Sequence, residues 1–189
     1  MNAQKHPFAP VFDENSKVLI LGSFPPINTS QKNEFYYGGT SNVFWKVLGE
    51  VFQTPNLADK SIADKKGFLL KNKIALWDIW ALCCKKDHTS ASDKGIIAKE
   101  SKKVDLSELL KAAKIQKVFT TIDKGCFKTW HIEDWLWDEY RTYFPHCKSK
   151  GEIVVSLFST SPRGIQTKRV TYEQIRDDYK QIAEILKKG

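Results

Sequence analysis

Val18-Leu19-Ile20-Leu21-Gly22-Ser23-Phe24-Pro25-Pro26 decides how this chain is read. Four consecutive apolar residues, closed by a glycine and then a proline pair, describe a strand buried on both faces that stops at a loop. Beyond it, Phe35-Tyr36-Tyr37-Gly38-Gly39-Thr40-Ser41-Asn42-Val43-Phe44-Trp45 leads into a helix whose apolar positions 44, 47, 48, 51 and 52 follow the 3.6-residue period. In an open α/β sheet ligands bind outside the carboxyl ends of the strands, so both loops are expected to face one cleft.

Working outward, further strands are expected over 73–80, stopping near Asp78, over 116–121 and over 152–158. The last ends in Ser159-Thr160-Ser161-Pro162-Arg163-Gly164. Helices are expected over 43–52, 61–71, 105–113 and 124–143, with a final one capped by Thr171 that buries Ile175, Tyr179, Ile182, Ile185 and Leu186. Four strands, each followed by helix-compatible sequence, predict a parallel sheet between two helical layers. No composition shift divides the 189 residues, so 1–189 is expected to form a single domain. Residues 1–16 are expected to lie on the surface, pinned by Phe8, Val11 and Phe12. The polar stretch 85–103 is long enough to be a functional loop.

Thirty basic against 22 acidic side chains give a net charge of +8, spread in short pairs such as Lys65-Lys66 and Lys85-Lys86. Dispersed positive charge fits either a polyanionic partner or ordinary solubility. No apolar run approaches the roughly 18 residues of a membrane span, and residues 1–7 hold no apolar leader, so a cytoplasmic protein without membrane attachment is expected. Cys83, Cys84, Cys126 and Cys147 contain no C-x-x-C pair. They read as reduced thiols, with zinc held through His88 or His146 as the alternative. The absence of G-x-G-x-x-G and G-x-x-x-x-G-K-[ST] gives no reason to expect a nucleotide or redox cofactor.

Gly22-Ser23-Phe24-Pro25-Pro26, Tyr36-Tyr37, Asn42-Val43-Phe44-Trp45, Leu76-Trp77-Asp78-Ile79, Ser92-Asp93-Lys94-Gly95-Ile96 and Ser159-Thr160-Ser161-Pro162, in that order, resemble the uracil-DNA glycosylase superfamily, and within it the hypoxanthine-DNA glycosylase-like branch. The resemblance implies a three-layer α/β/α sandwich with a central four-stranded parallel sheet. It implies a monofunctional enzyme, without cofactor or metal, acting as a monomer on double-stranded DNA. Such an enzyme flips out a deaminated base, hypoxanthine, uracil or xanthine, and hydrolyses its glycosidic bond in base-excision repair. A catalytically weak or inactive nucleic-acid-binding relative is the second reading. An unrelated α/β hydrolase is a third, against which the absence of Gly-x-Ser-x-Gly counts for the esterase form.

By the same resemblance Asn42 is the catalytic residue. Tyr37 lies under the extruded base, where stacking is worth about 1–3 kcal/mol. Asp78 reads the base edge; an ionised carboxylate accepts the N–H of a lactam base but repels its neighbouring carbonyl oxygen. Gly22, Ser23, Phe24 and Pro25 form a turn whose backbone reaches base or phosphate. Ser159, Thr160, Ser161, Pro162 and Arg163 contact the DNA backbone. Plainer readings stand beside these: Asn42 as a helix cap, Tyr36 and Tyr37 as packing, Asp78 as a helix cap or structural ion pair, Ser159–Arg163 as a surface turn, and Lys85, Lys86, His88, Ser90, Ser92 and Asp93 as a solvated loop. Four positions depart from the family pattern: Gly39-Thr40 replace a His-Pro pair and Thr120-Thr121 an Asn-Gly pair. Phe24 stands where many relatives carry an acid or amide.

Overall fold

A computed structural model describes residues 3–26, 34–86 and 92–188. In chain order its elements are β1 (Gln4–Lys5), β2 (Val18–Gly22), α1 (Phe44–Val51), α2 (Ile62–Lys71), β3 (Ile74–Asp78), β4 (Trp80–Cys83), β5 (Lys102–Lys103), α3 (Ser107–Ala112), β6 (Lys117–Thr120), α4 (Lys124–Thr129), α5 (Ile132–Tyr140), α6 (Lys150–Ile153), β7 (Val154–Ser156), α7 (Pro162–Gln166) and α8 (Tyr172–Lys188). The central sheet runs β3-β2-β6-β7 with every pairing parallel, as the apolar runs predicted.

Every residue of β2 is buried, and its side chains alternate between two cores as the period of a strand requires. Leu19 and Leu21 enter one core with Leu106, Leu109, Trp130 and Leu136. Val18 and Ile20 enter the other with Phe44, Leu48, Ile175 and Tyr179. Burying each such side chain contributes about 1.5–3 kcal/mol before the entropy of ordering is subtracted. The register sets Gly22 beside Asp78 and Leu21 beside Thr120, so three strands end level and their loops open on the same side.

The structure corrects the sequence reading in four places. Residues 3–16 are not simply surface: β1 pairs antiparallel with β4, β4 pairs with β5, and Val11 bridges Leu76, which builds a second, three-stranded sheet beside the first. The helix expected over 124–143 breaks in two, because His131 takes a left-handed backbone (φ 51°) after α4 while Trp130 packs edge-on against Trp80. The strand expected from 152 starts at Val154. Glu152 instead accepts from Lys148 N–H and the Ser149 hydroxyl and winds the preceding turn into α6. The stretch after β4 is not an open solvated loop. Lys85 is buried, and Ile97 N–H and Lys86 N–H donate to Cys84 O and Gly95 O. His88 and Ser90 lie outside the described residues.

Candidate active site

At the carboxyl ends of β2 and β3 the backbone leaves no room for a side chain on Gly22. A Cβ there would overlap Asp78 Oδ1 and come within 2.6 Å of the Tyr37 hydroxyl. The glycine thus permits the approach of Asp78 and Tyr37 rather than of a ligand. Asp78 is 5% exposed. Its Oδ2 lies 2.9 Å from His6 Nε2, while His6 Nδ1 sits 2.8 Å from Phe8 O and 3.1 Å from Phe8 N, so the Phe8 backbone holds one edge of the ring and turns the other toward Asp78. Burial pushes the Asp78 carboxyl up, and the His6 bond pulls it partly back. A structural partner for Asp78, one of the plainer readings, therefore exists at the cavity itself, as a hydrogen bond with His6.

Tyr37 holds a left-handed backbone (φ 53°), unusual for a residue with a Cβ. Its ring stacks on Phe44 at 3.8 Å, and its hydroxyl shares a 2.8 Å hydrogen bond with Thr121. Burial, then the Asp78 charge, pushes its phenol well up, so it stays a neutral hydroxyl. Tyr36 is core: Trp45 Nε1–H donates to its carbonyl and its own hydroxyl donates to Ala9 O. Asn42 Oδ1 accepts from Phe44 N–H at 2.9 Å, a local turn that leads into α1 one residue before its N-cap, Val43, which carries no side-chain cap. That bond fixes the amide's orientation and leaves its NH2 group as donor.

The Ser23 hydroxyl donates to Asp93 Oδ1 at 2.5 Å, bringing a residue from the far loop onto the β2 turn. Burial raises the Asp93 carboxyl, opposed by the Ser23 bond and the Lys85 charge. Phe24 packs edge-on against His6 at 5.5 Å. On the opposite side, Val43 N–H donates to Thr160 O at 3.2 Å, stitching the Asn42 loop to the 159–163 loop. Asp178 braces the latter from α8 by accepting from Phe158 N–H at 2.7 Å.

These residues line one cavity of about 860 Å³. Ser23, Phe24, Pro25, Tyr37, Asn42, Asp78 and Ser159 to Arg163 all border it, and Gly22 supports its floor. Thr160 needs a correction. It is 1% exposed with its hydroxyl against Tyr179, so it offers no hydroxyl to a phosphate. Pro162 opens α7 rather than a bare turn, and Arg163 is exposed at the rim. Lys94, Lys124 and Arg169 also border the opening, Lys124 with its ammonium 4.5 Å from the Phe158 ring. Of the departures, Thr121 is part of the wall through Tyr37, whereas Thr120 is buried with an unpaired hydroxyl. Among the described residues no cluster of His, Cys, Asp or Glu is placed to hold a metal, and Cys83, Cys84 and Cys126 are buried free thiols.

Sequence reasoning missed His6, the role of Asp93 beyond a supporting one, and Thr121. His6 carried no signal, since nothing in a segment before the first strand tells which strand end it will reach. Asp93 stood in a motif, but only the fold could set it on Ser23.

The fold is that of a uracil-DNA glycosylase. A solution NMR structure from Methanosarcina acetivorans, provisionally named a uracil DNA glycosylase, superposes with a TM-score of 0.64 over 95% of this chain and 98% of its own, at 23% identity. In sequence the chain is similar to two proteins named hypoxanthine DNA glycosylase, one from Methanosarcina barkeri (39% identical over 77 residues) and one from Methanosarcina acetivorans (40% over 76). Each match takes in 41% and 40% of this chain and about half of the relative, 48% and 47%. No family model matches the chain. The resemblance to the hypoxanthine-DNA glycosylase-like branch read from the motifs is borne out by these likenesses. Among the described residues no helix is long and apolar enough to cross a membrane.

Proposed function

We propose that this chain is a monofunctional DNA glycosylase that removes a deaminated base, hypoxanthine first among the candidates, from double-stranded DNA by hydrolysis. One observation carries the reading: Tyr37, Asn42, Asp78 and the 159–163 loop, far apart in sequence, border a single cavity large enough to admit a flipped nucleotide.

Outside the cavity, Ser159, Ser161 and Arg163 take the phosphates flanking the lesion, with Lys94, Lys124 and Arg169 adding charge at the rim. Inside, Phe44 stacks on one face of Tyr37, which borders the cavity, and in this reading the base stacks on the ring from the cavity side. Asp78, oriented by His6, accepts the lactam N–H. The Asn42 NH2 group, oriented by the bond from Phe44 N–H to its Oδ1, donates toward the reacting sugar or its attacking water. The chemistry requires positive charge to develop on the sugar as the base leaves, and a cavity bordered by carboxylates stabilises it.

The test is a panel of labelled duplexes carrying single hypoxanthine, uracil, xanthine or mismatched thymine, with abasic sites cleaved by alkali after incubation. Strand cleavage on the hypoxanthine duplex is expected, and Asp78→Asn is expected to change the ranking of bases. Tight, salt-sensitive binding without product on any duplex would instead identify a binding protein.

A further inference from the structure

We propose that Asp93 is the general base of the reaction, taking a proton from the water that attacks the sugar; this rests on the glycosylase reading above. The argument starts from what each acid or amide around the cavity already does. Asn42 is a carboxamide with its oxygen on Phe44 N–H, and a carboxamide takes up no proton in the working pH range. Asp123 caps α4, its Oδ1 accepting from Gly125 N–H and Cys126 N–H at 3.0 and 3.3 Å. Asp78 lies on the floor, with Oδ2 on His6 and Oδ1 against Gly22. Asp93 stands apart from these three. It borders the cavity at the β2 turn, one hydroxyl binds its Oδ1, and among the described residues its Oδ2 has no protein partner.

Its position is also fixed, as a base requires. The turn carrying it is fastened to the end of β4 by the Lys85–Ile96 bridge, by Lys86 N–H on Gly95 O (2.9 Å) and by Ile97 N–H on Cys84 O (2.8 Å). The Ser23 hydroxyl then holds one oxygen and leaves the other directed by the carboxylate plane. Facing Asp93 are Tyr37, Asp78 on β3, Cys83 on β4, Lys85 just after it, and Asp123 and Cys126 at α4. Burial and the two neighbouring carboxylates raise its proton affinity; the Ser23 bond and Lys85 lower it, and the net direction is up. A carboxylate raised above its ordinary range is a stronger base than a free one.

In the step, a water proton passes to Asp93 Oδ2 while the water oxygen bonds to C1′. The C1′–N bond breaks and its electron pair leaves with the base. Asp93 then releases its proton to solvent or to the departing base, and the site is restored.

Single-turnover excision of hypoxanthine from a duplex is measured from pH 4.5 to 9 for the wild type, Asp93→Asn and Ser23→Ala, with duplex affinity measured alongside. The wild-type rate is expected to rise with pH along an acid limb of one ionisation, above the ordinary carboxylate range of about 4. Asp93→Asn keeps an acceptor for Ser23, so the fold and an affinity within threefold are expected to survive, while the rate falls at least 100-fold and the limb disappears. Ser23→Ala is expected to move the limb to higher pH. A flat wild-type profile, an Asp93→Asn rate within threefold of wild type, or a loss confined to affinity overturns the proposal. If Asp93→Asn does not fold, the wild-type limb and its displacement in Ser23→Ala decide. A wild type that releases no base from any duplex brings down the glycosylase reading and this inference together, whereas an active wild type with an active Asp93→Asn overturns this inference alone.

Discussion

His6 and Asp78 lie 72 residues apart and share a hydrogen bond of 2.9 Å, each with a side chain at most 7% exposed. The bond locks a segment preceding the first central strand onto the end of β3, and it gives the buried carboxylate its charged-hydrogen-bond partner. His6→Ala leaves Asp78 without that partner, so about 1–3 kcal/mol of stability is expected to be lost at pH 7 in urea denaturation. The deficit should shrink as the pH falls and Asp78 takes up a proton. A deficit that is constant with pH would mean that ring packing, not the bond, is what matters.

Asp93 tests the conflict between stability and activity. Its folded-state carboxyl is raised, so the native state holds the proton more tightly than the unfolded chain. Stability from this group is then full below the ordinary carboxylate range and declines as pH rises through the raised value. Asp93→Asn removes the charge and keeps the Ser23 contact. It is expected to melt above the wild type at pH 7, with the difference closing toward pH 4, as scanning calorimetry across pH will show.

Gly22→Ala probes the floor. The added methyl meets Asp78 Oδ1 and the Tyr37 hydroxyl, both held from behind, Asp78 by His6 and Tyr37 by Thr121. Overpacking of this kind is expected to destabilise by about 1–3 kcal/mol and to abolish excision even at temperatures where the variant is folded. Wild-type activity in the variant would show that the floor yields.

Asn42 carries a structural hydrogen bond to Phe44 N–H and a proposed catalytic role, which substitution separates. Asp presents the same acceptor oxygen to Phe44 N–H, so Asn42→Asp is expected to stay within about 0.5 kcal/mol of wild type. It loses the NH2 donors and should lose more than tenfold in single-turnover rate. Asn42→Ala loses the bond to Phe44 N–H as well, at about 1 kcal/mol. Equal rates for Asn42→Asp and the wild type would remove the amide from the chemistry.

Arg163, exposed at the rim, is expected to act on phosphate. Arg163→Ala should weaken binding to lesion and undamaged duplexes alike and reduce the salt slope of log K by about 1. An effect on the lesion duplex alone would assign Arg163 to the flipped base instead.

The central sheet was legible because each strand carries a local signature: a short apolar run such as 18–21 admits few placements other than a buried parallel strand. The helix after Asn42 was legible from its period, although its N-cap fell on Val43, without a side-chain cap. The break at His131 was not, since the apolar residues run through it and only the packing of Trp130 on Trp80 selects the left-handed turn. The small sheet was hidden for a similar reason: β1 and β5 are two residues each, too short for any periodicity, and they exist because β4 offers them an edge.

The site divides along the same line. Tyr37, Asn42, Asp78 and the 159–163 loop stood in motifs at strand ends, and the parallel order of strands was enough to bring them to one side. The sequence by itself determined those ends and the chemistry available there, because hydrophobic period and turn residues act over a few neighbours. Only the tertiary structure decided the partners: His6 for Asp78, Asp93 for Ser23, Thr121 for Tyr37. A hydrogen bond between residues 70 or 84 positions apart leaves no local trace in the chain, and its atoms meet only when two cores have closed on either face of β2.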